Sequence, residues 1–288
     1  MNGILLVNKE KNLTSHDVVY KIKKIYNEKV GHTGTLDPNA TGVLPLLIGD
    51  ATKISKYLIE HDKTYLAEIK LGIKTSTKDQ EGEIIETKDV PELSLESIEN
   101  VLKTFLGKQI QTPPIYSAIK VKGKKLYEYA RENIEVEIPK REIEVYSIEL
   151  ISYIENILTI KLHVSKGTYI RSLAESISEK LGTVGYLKEL KRTTVGQFDI
   201  KNSVNICDIE NNKNNKEYLN SILIKIEDLF SNYQSIKLDD SNINKLLNGV
   251  LIKTSLEDGI YKLYYNEAFI GLGKVLNGSL KRDYIKIK

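Results

Sequence analysis

The sequence predicts an α+β protein: a mixed, largely antiparallel sheet with helices on it, followed by a small β-rich C-terminal unit. Three observations predict it. Segments of strand character outnumber those of helical period and do not alternate with them strictly, which argues against a parallel sheet built from crossover units. Two long strand-like segments, 142–153 and 157–164, are joined only by a turn at Glu155-Asn156, the spacing of an antiparallel pair. Beyond residue 230 the chain changes to short apolar runs at 250–252, 260–264 and 268–273, punctuated by Gly249, Gly259, Gly271, Gly273 and Gly278. That pattern reads as a barrel-like appendage of about 55 residues.

The elements follow in order. Residues 4–7 are a buried strand. Thr14 or Ser15 caps a helix whose stripe is Val18, Val19, Ile22, Ile25 and Tyr26. The stretch 31–45 holds three glycines and two prolines, so its backbone turns sharply and then holds still. Within it Asp37 directly precedes Pro38, whose ring pushes the aspartate toward extended geometry. Residues 43–48 lead out as a buried strand. In 64–73, Tyr65, Ala67, Ile69 and Leu71 alternate with Glu68 and Lys70. Residues 72–82 form a polar loop, and 83–86 a return strand. Ser94 caps a helix with Leu95, Ile98, Val101, Leu102 and Phe105 inward and Gly107 past its end. Pro113-Pro114 keeps 111–117 extended. A strand at 118–121, a turn at 122–124 and a short helix at 126–131 precede the long strand pair. Lys166-Gly167-Thr168 opens a helix carrying Tyr169, Leu173, Ile177 and Leu181, which Gly182 stops. The stretch 203–220, with six asparagines from Asn205 to Asn220, reads as a linker, and 219–229 as helical. The domain boundaries expected are therefore 1–230 and 231–288.

Composition bounds the function. A chain of 288 residues, 41% hydrophobic and 28% charged, has the profile of a globular protein with a real core. One cysteine, Cys207, permits no intrachain disulfide and fits a reducing compartment. Residues 1–11 do not read as a signal peptide and no apolar run reaches membrane-spanning length, so the cytoplasm is expected. A net charge of +3 does not itself call for a nucleic acid. Local clusters are more suggestive: Lys120, Lys122, Lys124 and Lys125, then Lys281-Arg282 with Lys286 and Lys288. Clustered lysines attract phosphate backbones, although each cluster also reads as a solvated face.

There is no phosphate-binding glycine loop, no dinucleotide fingerprint and no Gly-x-Ser-x-Gly elbow. Four histidines and one cysteine lack metal-ligand spacing, so no metal is expected. What remains is Asp37 on its rigid loop, Tyr65, Tyr169 and Arg171 at a helix start. A carboxylate beside a guanidinium stays ionised, its pKa lowered by the opposite charge. Such a group can attack or stabilise a sugar C1′ with oxocarbenium character, and an aromatic face can stack a nucleobase. Spacing alone leaves open whether these residues meet, and whether the loop is more than a structural turn.

His32-Thr33-Gly34-Thr35-Leu36-Asp37-Pro38-Asn39-Ala40-Thr41-Gly42-Val43-Leu44 resembles the catalytic motif of the TruB family, the bacterial tRNA pseudouridine(55) synthases. Four further blocks resemble that family in its order: Lys63-Thr64-Tyr65, the 111–118 stretch Gln-Thr-Pro-Pro-Ile-Tyr-Ser-Ala, the 123–131 stretch from Gly123 to Arg131, and 165–173 around Tyr169 and Arg171. The similarity runs from about residue 3 to 200. The tail around Phe269-Ile270-Gly271-Leu272-Gly273 resembles a PUA-type RNA-binding module more loosely.

The resemblance implies the pseudouridine-synthase fold and a PUA-like tail. It implies Asp37 as the catalytic aspartate, Tyr65 as the ring that stacks on the target base and a candidate for proton handling, and Arg171 as the partner of Asp37. His32, Tyr169 and Leu190 match positions lining the RNA and base pocket; Lys63, Lys120 and Lys122 are further candidates for holding RNA. The implied partner is tRNA at its T arm, with no cofactor, no metal and a monomeric enzyme. Two departures stand out. The family's usual Lys-Pro-x-Gly turn is here Lys9-Glu10-Lys11-Asn12, and its Thr-Asp-Thr is Thr75-Ser76-Thr77, with Asp79 retained. Two rivals are an RNA glycosylase that releases uracil, for which no second carboxylate is recognisable, and a non-catalytic tRNA-binding and folding factor.

Overall fold

A computed structural model describes residues 1–286; Lys288 of the basic C-terminal cluster lies outside the described residues. In chain order the first half contains β1 (Gly3–Lys9), α1 (Ser15–Tyr26), β2 (Val30–His32), β3 (Thr41–Ile48), a 3-10 helix (Gly49–Tyr57), β4 (Lys63–Leu71), β5 (Ile73–Thr75), β6 (Ile84–Thr87), α2 (Leu95–Lys103) and β7 (Gly107–Gln111). There follow β8 (Lys120–Val121), β9 (Lys124–Lys125), α3 (Leu126–Arg131), β10 (Arg141–Ile154), β11 (Ile157–Val164), α4 (Ile170–Lys180) and β12 (Gly185–Val195). The remainder comprises β13 (Phe198–Asp199), β14 (Val204–Asn205), α5 (Ile206–Asn211), α6 (Lys216–Ser221), β15 (Ser235–Lys237), α7 (Asp240–Leu247), β16 (Ile252–Lys253), β17 (Gly259–Tyr265), β18 (Ala268–Leu276) and β19 (Ser279–Ile285).

The main sheet has ten strands, ordered β14-β1-β3-β12-β4-β11-β10-β7, with β2 on β3 and β13 on β12. Only β1–β14 and β3–β12 pair in parallel within it. The expected mixed, largely antiparallel sheet is therefore the observed one. The small unit is a five-stranded sheet, β15-β17-β18-β19-β16, with α7 beside it.

Local chemistry explains the element starts. Thr14 caps α1 in a capping box: its hydroxyl accepts from the Asp17 amide, and the Asp17 carboxylate accepts from the Thr14 amide at 2.8 Å. Ser94 caps α2, but Leu95, expected inward, is 58% exposed; as the first helical residue it lies outside the stripe formed by Ile98 and Leu102. Glu155 and Asn156 both take positive φ, 51° and 61°, which closes the β10–β11 hairpin with a turn matched to strand twist.

Several segments depart from the sequence expectation. The polar loop 72–82 contains β5, which pairs with β6. The expected linker 203–220 carries β14, α5 and α6, and Ile206, Ile209 and Leu219 are buried in the main core. Its asparagines sit at helix ends, where Asn215 caps α6 through its side chain. The expected helix over 219–229 is instead the end of α6, an extended Ile224 that exchanges backbone hydrogen bonds with Ile4, and a 3-10 turn at Ile226–Phe230.

The sheet buries both faces. One core holds Val18, Ile22, Leu44, Ile69, Leu173, Ile177 and their neighbours. The other joins Ile4, Leu6, Val43 and Leu47 to Phe198, Phe230 and, from the small unit, Leu272 and Tyr284. The Tyr57 hydroxyl and the Lys56 ammonium both reach Asp283 across this contact. Among the described residues no helix is long and apolar enough to cross a membrane.

Candidate active site

The centre of the sheet positions the site. β12 lies between β3, which leaves the Asp37 loop, and β4, which carries Tyr65. Arg192 of β12 is registered opposite Gly42 on one side and Tyr65 on the other. A Cβ on Gly42 would lie 2.1 Å from the Arg192 carbonyl oxygen, and Gly42 has φ +109°; only glycine lets the two strands meet here. The first turn of α4, which packs on β12, then delivers Arg171.

Arg171 is 6% exposed and its guanidinium has four partners. Nε lies 3.1 Å from Asp37 Oδ2 and Nη1 3.3 Å from Asp79 Oδ2. Nη1 also donates to the Thr77 carbonyl at 3.4 Å, and Nη2 to the Tyr116 carbonyl at 3.0 Å. Asp79 is held in turn by the Thr77 hydroxyl at 2.5 Å and the Glu81 amide at 3.1 Å. One guanidinium thus orients two carboxylates; both line the cleft, and Asp37 is the more open, with its side chain 44% exposed against 16% for Asp79.

The sequence led to the expectation that Arg171 lowers the Asp37 pKa. It does pull in that direction, but the net shift is upward. Protein walls the carboxylate on all sides but one, and this loss of hydration outweighs Arg171 and Lys9, with the Asp79 charge adding to the rise. The aspartate is therefore a more basic, less hydrated carboxylate than its exposure alone suggests.

The Lys9–Asn12 turn departs from the family pattern and yet is anchored. Asn12 takes φ 65°, the left-handed conformation a glycine would supply, and its amide donates to the Pro38 carbonyl at 3.0 Å. Lys9, fully buried, donates to the carbonyls of Glu10, Leu13 and Pro38 at 2.9, 2.6 and 2.9 Å. Its burial brings its pKa down to about 8. The second departure is absorbed too, because Thr75 and Thr77 both donate their hydroxyls to Asp79, while Ser76 donates its amide to the Glu83 carbonyl at 3.0 Å and accepts from the Glu83 amide at 3.2 Å.

Of the residues singled out from sequence, the structure brings Asp37, Arg171 and Leu190 to one cleft, together with Asn39, Asp79, Leu187 and Glu189. A continuation of that cleft adds Thr77, Glu81 and Tyr116. Tyr65 is 7% exposed, behind the loop; burial raises its pKa, the Asp37 charge adds to that, and the adjoining Arg192 opposes it. His32 lies on β2 with Nδ1 buried and without a hydrogen-bond partner, and burial with the Arg192 charge lowers its pKa. The Thr33 and Ser117 hydroxyls are likewise buried without partners. Tyr169 stands outside the two clefts at the start of α4, its backbone locked by Gln111 at 2.8 and 3.0 Å and its ring under the Arg141 guanidinium at 5.5 Å. Lys120 and Lys122 are exposed on the β8–β9 hairpin.

Lys63 corrects the expectation of an RNA-facing lysine. It is 8% exposed, its ammonium donates to the His61 carbonyl, and burial beside Arg192 lowers its pKa to about 8. Sequence reasoning passed over Asp79, Lys9, Tyr116 and Arg192. The retained Asp79 in an otherwise altered Thr-x-Thr block was a usable signal; nothing local marked Arg192 as buried. Among the described residues no cluster of histidine, cysteine and carboxylates could hold a metal ion.

A mixed sheet that sets one solvent-open aspartate on a buried arginine, beside a buried tyrosine, is the architecture of a pseudouridine synthase. The chain belongs to the TruB family: residues 22–170 match the TruB family pseudouridylate synthase N-terminal domain, and residues 171–231 the tRNA pseudouridylate synthase B C-terminal domain. It is 47% identical to the tRNA pseudouridine synthase B of Caldanaerobacter subterraneus subsp. tengcongensis, over 95% of each chain. It is 43% identical to that of Clostridium tetani, over 95% of this chain and 96% of the relative. Among solved structures, an H/ACA ribonucleoprotein bound to a substrate RNA containing 2'-deoxyuridine superposes with a TM-score of 0.72 at 23% identity, covering 99% of this chain and 85% of that one. That likeness shows the shared fold, the C-terminal β unit included.

Proposed function

We propose that this enzyme isomerises the uridine at position 55 in the T loop of tRNA, with residues 1–230 as the catalytic unit and 231–288 as an RNA-gripping PUA-like unit. The observation that carries the site assignment is the Arg171–Asp37 contact of 3.1 Å at the mouth of a cleft. The relatives' names supply the substrate class. A monomer in the cytoplasm, bound to the tRNA elbow, is the accompanying reading.

The reaction balances without help from another molecule. The N1–C1′ bond breaks, C5 bonds to C1′, and the proton on C5 is lost while N1 gains one. The target base must leave its stack, at a cost of a few kcal/mol. Asp37, ionised and poorly hydrated, is the group that meets C1′ or otherwise drives cleavage, and Arg171 fixes its direction. The base stacks on Tyr65 and rotates there. Leu187 and Leu190 line the same wall and exclude water, which would otherwise trap the intermediate as free uracil. Lys120, Lys122 and the Arg141–Tyr169 stack meet the RNA outside the cleft.

The glycosylase rival needs a carboxylate free to activate water. Three other carboxylates line the cleft, but Asp79 is committed to Arg171, Thr77 and Glu81, Glu81 accepts from Asn39 at 2.7 Å, and Glu189 pairs with Lys11. Incubation with a tRNA transcript distinguishes the readings: conversion of uridine without change of mass supports isomerisation, whereas free uracil in solution supports the rival. A pure binding factor would be unaffected by Asp37→Asn.

A further inference from the structure

Arg192 is the largest side chain buried to 1% exposure or less, and it forms no ion pair with a carboxylate among the described residues. Three hydrogen bonds tie it to backbone, and its guanidinium also meets the Tyr65 phenol. Nε donates to the Val43 carbonyl at 2.9 Å, Nη1 to Thr35 at 3.5 Å and Nη2 to Gly34 at 3.2 Å. Gly34 and Thr35 precede Asp37 and Val43 follows it, so the guanidinium closes the neck of the catalytic loop. Opening that neck would strand a buried charge, which is among the costliest events in a protein interior. Arg192 is also the cross-strand partner of Tyr65.

We propose that Arg192 is a positioning residue: it locks the Asp37 loop onto β12 and β4 and holds the hydroxyl of Tyr65 against that loop. Its charge, left without a carboxylate, is available to the phenol oxygen at the moment that oxygen carries negative charge. The surroundings fit this role. Burial and Asp37 both disfavour ionisation of Tyr65, and Arg192 is the group that opposes them. Lys63, Lys9 and His32 lie around Arg192, and its charge lowers the pKa of each. The groups around Arg192 are thus basic, and negative charge on the phenol oxygen would offset part of the Arg192 charge. The inference rests on the reading of Asp37 and Tyr65 as the reacting groups.

The test is a double-mutant cycle with single-turnover rates and tRNA affinity. Arg192→Lys keeps the charge but loses the planar fork; it is expected to lower the rate about 100-fold, the cost of a misplacement near 1 Å, with tRNA binding little changed. In a Tyr65→Phe background the same substitution should cost far less. Equal losses in both backgrounds, or a wild-type rate for Arg192→Lys, would overturn the proposal. Should Arg192→Lys not fold, 3-fluorotyrosine placed at position 65 of the otherwise native chain decides. Because fluorination acidifies the phenol, the rate should change with it, whereas a rate and pH profile identical to those of the native chain would also overturn the proposal. The single variants Asp37→Asn and Tyr65→Phe, read in the same assay, separate failure of this proposal from failure of the underlying assignment: wild-type rates from them would sink the assignment itself.

Discussion

Asp37 carries an inherent conflict between stability and activity. Its folded pKa lies above the ordinary aspartate range because burial and Asp79 outweigh Arg171. The folded state therefore holds that proton more tightly than the unfolded chain, so its contribution is stabilising at low pH and is lost as pH rises through the folded value. At neutral pH the ionised group weighs against folding. Asp37→Asn should consequently melt no lower than the wild type in calorimetry, while its single-turnover rate falls by more than about 10³-fold. The acid limb of the wild-type rate profile should lie above about 3.9, the unperturbed aspartate value, because the reacting form is the carboxylate. The residue type and its place before Pro38 were legible in the sequence. Its direction of titration was not, since the sequence showed a candidate arginine but neither the walls around the carboxylate nor the second carboxylate at Asp79.

At the scale of elements, legibility followed periodicity. The capped helix α1, the alternating β4 and the β10–β11 hairpin all read correctly, because caps, period and turn residues agreed. The strand β12 escaped. Its pairing with β4 is broken by register irregularities between Leu187 and Glu189 and between Arg192 and Thr194. Those irregularities scramble the alternation and turn a charged residue inward, so a central strand read as no element at all. Gly42 is the complementary case: its glycine was visible as a loop marker, but its purpose is the close approach of β12. Gly42→Ala should cost on the order of 2–4 kcal/mol in denaturant unfolding and slow the reaction, since both φ and the contact with Arg192 forbid a side chain. Thr14→Ala, by contrast, should cost about 1 kcal/mol through loss of the α1 cap and leave the rate per folded molecule unchanged.

For the whole molecule, the small C-terminal unit is an integral wall of the catalytic unit as well as a candidate RNA grip. Leu272 and Tyr284 complete the core beneath β1 and β3. A chain truncated after residue 230 would expose that apolar face, and should lose soluble yield or melt at lower temperature rather than merely bind RNA less tightly. On the exposed β8–β9 hairpin, Lys120→Ala with Lys122→Ala should weaken tRNA binding and flatten its log–log salt dependence by roughly 0.7–0.9 per lost phosphate contact, with the chemical rate on bound tRNA unchanged. The ordered blocks from His32 to Leu173 come together only after the sheet is assembled. That explains why the loop at 31–45 was ambiguous alone and informative with its partners. The most direct measurement is position-resolved pseudouridine detection in tRNA transcripts treated with wild-type chain and with Asp37→Asn. The account predicts pseudouridine at position 55 with the wild type and none above background with the variant; the same product at the wild-type rate from Asp37→Asn would contradict it.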